Sequence, residues 1–148
     1  MVGTSTSDLE KEEDGGFKNA TLKKLDELLK GILTDVVKEE DFTGKAGQSI
    51  LLRVSGYEFK RIGLVAYQNS GVLTPANWRS FGESVVAATK SAQATSLGLT
   101  LANFGPVDEA SLNLGAHSIA LGMCLRSIQK FMRFQFLCIA KITSYEFK

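Results

Sequence analysis

Few residues in this chain have the type and spacing to do chemistry. His117 is the sole histidine. It lies in a helical pattern, and neither a second histidine nor a carboxylate stands four positions away to complete a metal pair. A Ser–His–Asp or Cys–His site would have to be built around this one ring, so a structural or solvent-facing role is expected. Cys124 follows seven positions on, about two helical turns away, and reads as core packing rather than nucleophile. With Cys138 it makes two cysteines, too few for a disulfide framework and not spaced for zinc. Both are expected as reduced thiols in an intracellular protein.

Two further segments invite a chemical reading. Thr43-Gly44-Lys45-Ala46-Gly47-Gln48-Ser49 suggests a phosphate loop, but a Walker loop follows a strand, opens a helix and keeps four residues between its first glycine and Gly-Lys-Ser/Thr. Here the loop follows a helical pattern and leads into a strand, so an entry loop to a hairpin is expected. Lys38-Glu39-Glu40-Asp41 could hold a cation only if its carboxylates converged. Neighbouring carboxylates on a helix end diverge, whereas a hard ion takes oxygens from alternating positions. A solvated helix end is expected.

The elements around these residues are legible in parts. Residues 4–16 are charged and end in Gly15-Gly16, the pattern of a solvated, mobile start. Leu22, Leu25, Leu29, Ile32, Leu33 and Val36 recur at helical spacing, with Asn19 as cap and Gly31 as a soft point. Ser49–Val54 and Arg61–Tyr67 read as strands, and their short connector implies an antiparallel hairpin. Thr74 and Pro75 mark a helix start, followed by a face of Trp78, Phe81, Val85, Ala88, Thr89 and Ala92. Trp78 has core spacing. Ser96–Ala102 is a further strand, which a βαβ crossover places parallel to Arg61–Tyr67. Pro106 opens a last helix with Leu112, Ala116, Ile119, Ala120 and Met123 buried. The aromatic stretch after Leu125 has no decisive period.

Composition bounds the function classes. The 148 residues are 44% hydrophobic and 22% charged, with net charge +1. That describes one ordinary globular domain and gives no electrostatic case for nucleic acid or an anionic membrane. No apolar stretch is long enough to span a bilayer. The acidic start resembles neither a secretory signal nor a transit peptide, so the sequon Asn19-Ala20-Thr21 is expected to stay unmodified and the chain to be cytoplasmic. From the residues alone the chain is a soluble α/β domain.

A family resemblance takes this further. Glu40–Ser49 (within EEDFTGKAGQS) resembles a stretch of the plant leucine aminopeptidases of the M17, or cytosol aminopeptidase, family. So do Lys60–Val65, Phe81–Ala88 and Lys90–Ser96, in matching order and spacing. The resemblance runs to about Leu125. It implies an amino-terminal, non-catalytic domain over 1–125, with a three-layer, macro-domain-like mixed sheet flanked by helices. Its first strand is reduced to Met1-Val2-Gly3. Residues 126–148 form a divergent tail in place of the linker to the catalytic domain.

In that family the catalytic domain, which follows, binds two divalent ions (zinc, manganese or magnesium) through Asp, Glu and Lys side chains. Two such ions activate a bridging water and polarise the scissile carbonyl. The enzymes are typically hexamers. The signature NTDAEGRL is absent here, so the resemblance assigns this chain no catalytic, cofactor-binding or metal residue. It implies a chain inactive alone, with aminopeptidase subunits or its own copies as partners, and a plastid location if a transit peptide is missing. The alternatives are a stand-alone macro-like ligand- or nucleic-acid-binding module and a non-functional truncated product.

Overall fold

The computed structural model describes residues 1–13, 15–68, 74–94, 96–103, 109–126 and 133–134. In chain order these form β1 (Val2–Thr4), a 3-10 turn (Thr6–Leu9), α1 (Ala20–Leu28), α2 (Ile32–Glu39), β2 (Ser49–Arg53), β3 (Arg61–Ala66) and α3 (Pro75–Ser91). β4 (Ser96–Leu97), β5 (Thr100–Leu101), α4 (Glu109–Arg126) and β6 (Arg133–Phe134) follow.

The main sheet has the order β2-β3-β1-β5. β2 and β3 form the expected antiparallel hairpin, with Ser49 opposite Val65 and Arg53 opposite Arg61. β1 lies parallel to β3 on one side and to β5 on the other, pairing Val2 with both Leu64 and Thr100. Side chains alternate across a strand, which divides the core in two. Val2, Ile50, Ile62, Leu64 and Ala66 meet Leu22, Leu29, Leu33 and Val37 of α1 and α2 on one face. Val65, Tyr67 and Leu101 meet Phe81, Val85 and Val86 of α3 and Ile119 and Met123 of α4 on the other. The result is the three-layer mixed α/β sheet that was expected.

Three features differ from the sequence reading. The first concerns residues 4–16, read as solvated. Thr4, Ser5 and Asp8 are buried, and Lys11 bridges Phe17, which is fully buried. Hydrogen bonds to the Asp8 carboxylate, described below, offset the desolvation of its charge.

The second is the helix expected from Asn19 through Val36. Asn19 does cap α1, accepting from Thr21 N and Leu22 N. The helix then breaks at Lys30 and Gly31, whose φ angles are 57° and 86°. Gly31 N bonds Asp26 O, and Lys30 N bonds Glu27 O, the paired pattern of a left-handed helix stop. Across the break the Asp26 carboxylate accepts from Thr34 N (3.0 Å) and Thr34 Oγ1 (2.5 Å). It thereby caps α2, whose own cap, Gly31, has no side chain to do so.

Third, the strand expected over Ser96–Ala102 is split. β5 joins the main sheet beside β1, so it is parallel to β3 as expected but not adjacent to it. β4 pairs instead with β6. The expected start of the last helix at Pro106 and most of the tail from 126 to 148, Cys138 included, lie outside the described residues.

α3 and α4 make the tightest helix contact. A Cβ on Gly82 would stand 2.3 Å from the Ile119 carbonyl, and one on Gly122 would stand 2.1 Å from the Arg79 carbonyl. Gly115 lies under the Trp78 ring. Glycine at positions 82 and 122 lets the backbones approach to a distance any side chain would prevent.

Candidate functional site

Because β1, β3 and β5 run parallel, their carboxyl ends reach the same edge of the sheet. In open α/β sheets that edge is where ligands and polar groups gather. Here it carries a polar cluster in which buried Ser5, Asp8 and Tyr67 meet half-buried Asn19 and exposed Asn103.

Asp8 is its centre. One carboxylate oxygen accepts from Ser5 N at 2.8 Å and Ser5 Oγ at 2.7 Å. The other accepts from Asn19 Nδ2 at 3.0 Å. Asn19 Nδ2 also donates to Ala102 O at 3.2 Å, while its Oδ1 caps α1. One amide therefore ties the 3-10 turn, α1 and the end of β5 together. The Asn19 of the sequon is thus engaged in the fold.

Tyr67 closes the cluster from β3. Its hydroxyl donates to Asn103 O at 3.3 Å, and its ring stands 5.6 Å from both Trp78 and Phe81. Burial, with the Asp8 charge adding to it, pushes the phenol up to about 12 against an opposing hydrogen bond from Ser5. Tyr67 is therefore a neutral hydrogen-bond donor across the physiological range. Thr4, next to Ser5, has a buried hydroxyl with no hydrogen-bond partner.

A small cleft of about 40 Å³, open to solvent, adjoins the cluster. It is lined by Gly47, Tyr67, Gln68, Asn77, Ser80 and Ser84, among others. Its polar groups already serve the fold. Asn77 Nδ2 donates to Gln68 Oε1, its Oδ1 accepts from Thr74 N, and Ser84 Oγ donates to Ser80 O. Thr74 and Pro75 start α3 as expected.

The segments first singled out stand elsewhere. In the glycine-bearing loop, Gln48 Oε1 accepts from Thr43 N, Thr43 Oγ1 and Lys45 N. The loop thus folds on its own glutamine rather than around a phosphate. Gly44, with φ +74°, lies against the backbone of Ser5 and Thr6, and its carbonyl accepts from Thr6 Oγ1. His117 is exposed, its Nδ1 2.8 Å from Asn113 O on its own helix. Lys38, Glu39, Glu40 and Asp41 are all exposed at the end of α2.

Among the described residues no three His, Cys, Asp or Glu side chains group as a metal site would require. Asp8, the one buried acid among them, is already occupied by amide and hydroxyl donors. The described residues therefore offer no fit to the pair of divalent ions named in the family resemblance. No described helix is long and apolar enough to cross a membrane.

Sequence reasoning missed the cluster, although a signal existed. Ser5-x-x-Asp8 has the spacing of a capping box, and the structure forms it at the 3-10 turn. The charges that follow Asp8 masked it.

Comparison with known proteins bears on most of the chain. Residues 2–134 match the profile of the cytosol aminopeptidase family, N-terminal domain. "Leucine aminopeptidase 2, chloroplastic" of Oryza sativa subsp. japonica is 43% identical over 124 residues, covering 84% of this chain and 21% of that protein. The Arabidopsis thaliana protein of the same name is 44% identical over 124 residues, with the same coverage. A solved structure of a tomato leucine aminopeptidase mutant superposes with a TM-score of 0.78 at 34% identity, over 91% of this chain and 28% of that one. The chain thus spans about a fifth of the length of these curated relatives.

Proposed function

Since the chain belongs to the cytosol aminopeptidase family by its N-terminal domain, we propose that it is a non-catalytic domain that stabilises or regulates an aminopeptidase assembly and does not itself hydrolyse peptides. One observation carries this reading. The partly buried polar cluster at the sheet edge, where an α/β domain would place chemistry, is committed to the framework. Asp8 holds a turn, Asn19 caps a helix and ties β5, and Tyr67 is a neutral donor to a backbone carbonyl. None is left with the free acid–base pairing that general catalysis needs.

The family's metal-dependent release of amino-terminal residues then belongs to the portion of the relatives that this chain does not span. Any divalent ions belong there too. The partners in this reading are aminopeptidase subunits or further copies of the chain. Relatives named chloroplastic support a plastid location beside the cytoplasmic one.

The test is hydrolysis of leucine p-nitroanilide by purified chain with added manganese. No turnover above a mock-purified control is expected. Turnover that follows the chain through a second, orthogonal purification step would overturn the proposal.

A further inference from the structure

The two edges of the main sheet are not alike. β5 ends it on one side with two residues, and a strand that short offers little to pair with. β2 ends it on the other side over five residues, in unbroken register with β3. Ala66 N donates to Gln48 O, and Val54 N donates to Lys60 O. These bonds show that the even-numbered residues of β2 face β3. Antiparallel ladders alternate, so the N–H and C=O groups of Ser49, Leu51 and Arg53 point away from the sheet. Among the described residues these groups have no partner. All three side chains are exposed. An open edge is ordinarily blunted by proline, lysine, a bulge or a covering element. β2 holds no proline or lysine and no bulge.

We infer that this edge pairs with the same edge of a second copy of the chain, antiparallel, with Leu51 on the two-fold axis. The strand itself names that occupant. With Leu51 on the axis, Ser49, Leu51 and Arg53 pair entirely among themselves, so every outward N–H and C=O of the three finds a partner. Any other register leaves one of them outside the ladder. Arg53 then faces Ser49 of the other copy, which keeps the two arginines from standing opposite each other. Leu51 faces its own copy. On the side toward α1 and α2, buried Ile50 faces half-buried Leu52 of the other copy, extending the apolar row that these residues already form with the core. Such self-complementarity is what a two-fold interface requires, and added strands bind through their main chain in this way.

The inference goes beyond the proposed function and holds or fails without it, because turnover by the chain would leave the β2 edge unchanged. Sedimentation equilibrium of the purified full chain, over a series of concentrations, is expected to show monomer and dimer in exchange. L51K and L51E each set like charges against one another on the axis, and each is expected to weaken the dimer at least about tenfold. Mixed in equal amounts they set opposite charges there, and the mixture is expected to associate at least about tenfold more tightly than either alone. Amide exchange of the wild-type chain supplies a second readout. Ser49, Leu51 and Arg53 are expected to slow as concentration rises, with Ile50 and Leu52, already bonded to β3, slowed far less.

A wild-type chain that stays monomeric at every concentration overturns the proposal. So does a dimer that both variants leave as tight as wild type, or a mixture that associates no better than either variant. If the variants do not fold, the exchange pattern decides, and slowing that fails to alternate along β2 overturns it. Slowing at the three outward amides in a complex with a different protein would assign the edge to that protein and also overturn it.

Discussion

Asp8 shows how a charged residue near the start of a chain becomes part of a core. Its three donors come from Ser5 and Asn19, and a carboxylate accepting several such bonds can be buried without a cationic partner. Tyr67 beside it carries a pH signature. Its folded pKa is raised to about 12 from 10, so the folded state resists ionisation that the unfolded chain undergoes. The stability this represents is fully present below pH 10 and is lost as pH rises from 10 through 12. Urea midpoints measured from pH 9 to 12 should fall for wild type more steeply than for Tyr67→Phe. Parallel slopes would show that the phenol is not held neutral by the fold. The role of this residue was not legible in the sequence. Tyr67 reads there as the last residue of an apolar strand, and only the arrival of Asp8 from β1's side gives it a charge to feel.

Among the elements, legibility follows where the local signal is strong. Asn19 and the Thr74-Pro75 pair announce their helices, because a cap needs only its own neighbours. The break between α1 and α2 is harder to foresee, since the residue that turns left-handed is Lys30 rather than Gly31 alone. Asp41 and Gln93 also have positive φ, just past α2 and α3. A lysine, an aspartate and a glutamine thus do what glycine usually does at helix ends. The contact of α3 with α4 depends on two glycines whose spacing to their partners no periodicity reveals. Gly122→Ala would drive a methyl into the Arg79 carbonyl at 2.1 Å, and such overpacking costs about 3 kcal/mol. Chemical denaturation should show that loss. A change under about 0.5 kcal/mol would mean the two helices can separate freely.

On the scale of the whole molecule, the hairpin and the presence of a parallel crossover were readable from loop lengths, but the strand order was not. β1 has three residues, too few to display a period of two, yet it occupies the middle of the sheet. Both core clusters flank that one sheet, and Val2 and Gly3 touch one each. The two halves should therefore unfold together. Tryptophan fluorescence, which reports Trp78 of α3 against α4, and far-ultraviolet circular dichroism, which reports all helices, should give coincident urea transitions. Separated midpoints would show that the α1–α2 layer is an independent unit.

The position of β1 also sets a clock. Its partners are Leu64 on one side and Thr100 on the other, so β1 must wait for later parts of this domain before the centre of the sheet can close. The hairpin of β2 and β3 can form early, because its strands are near neighbours. β3 then offers an unpaired apolar edge until β1 arrives, and β1 offers another until β5 does. Contacts between distant parts of a chain are slow to form, and waiting edges are where chains associate wrongly. During synthesis this domain depends on its early residues being kept apart from other chains until Leu101 has left the ribosome.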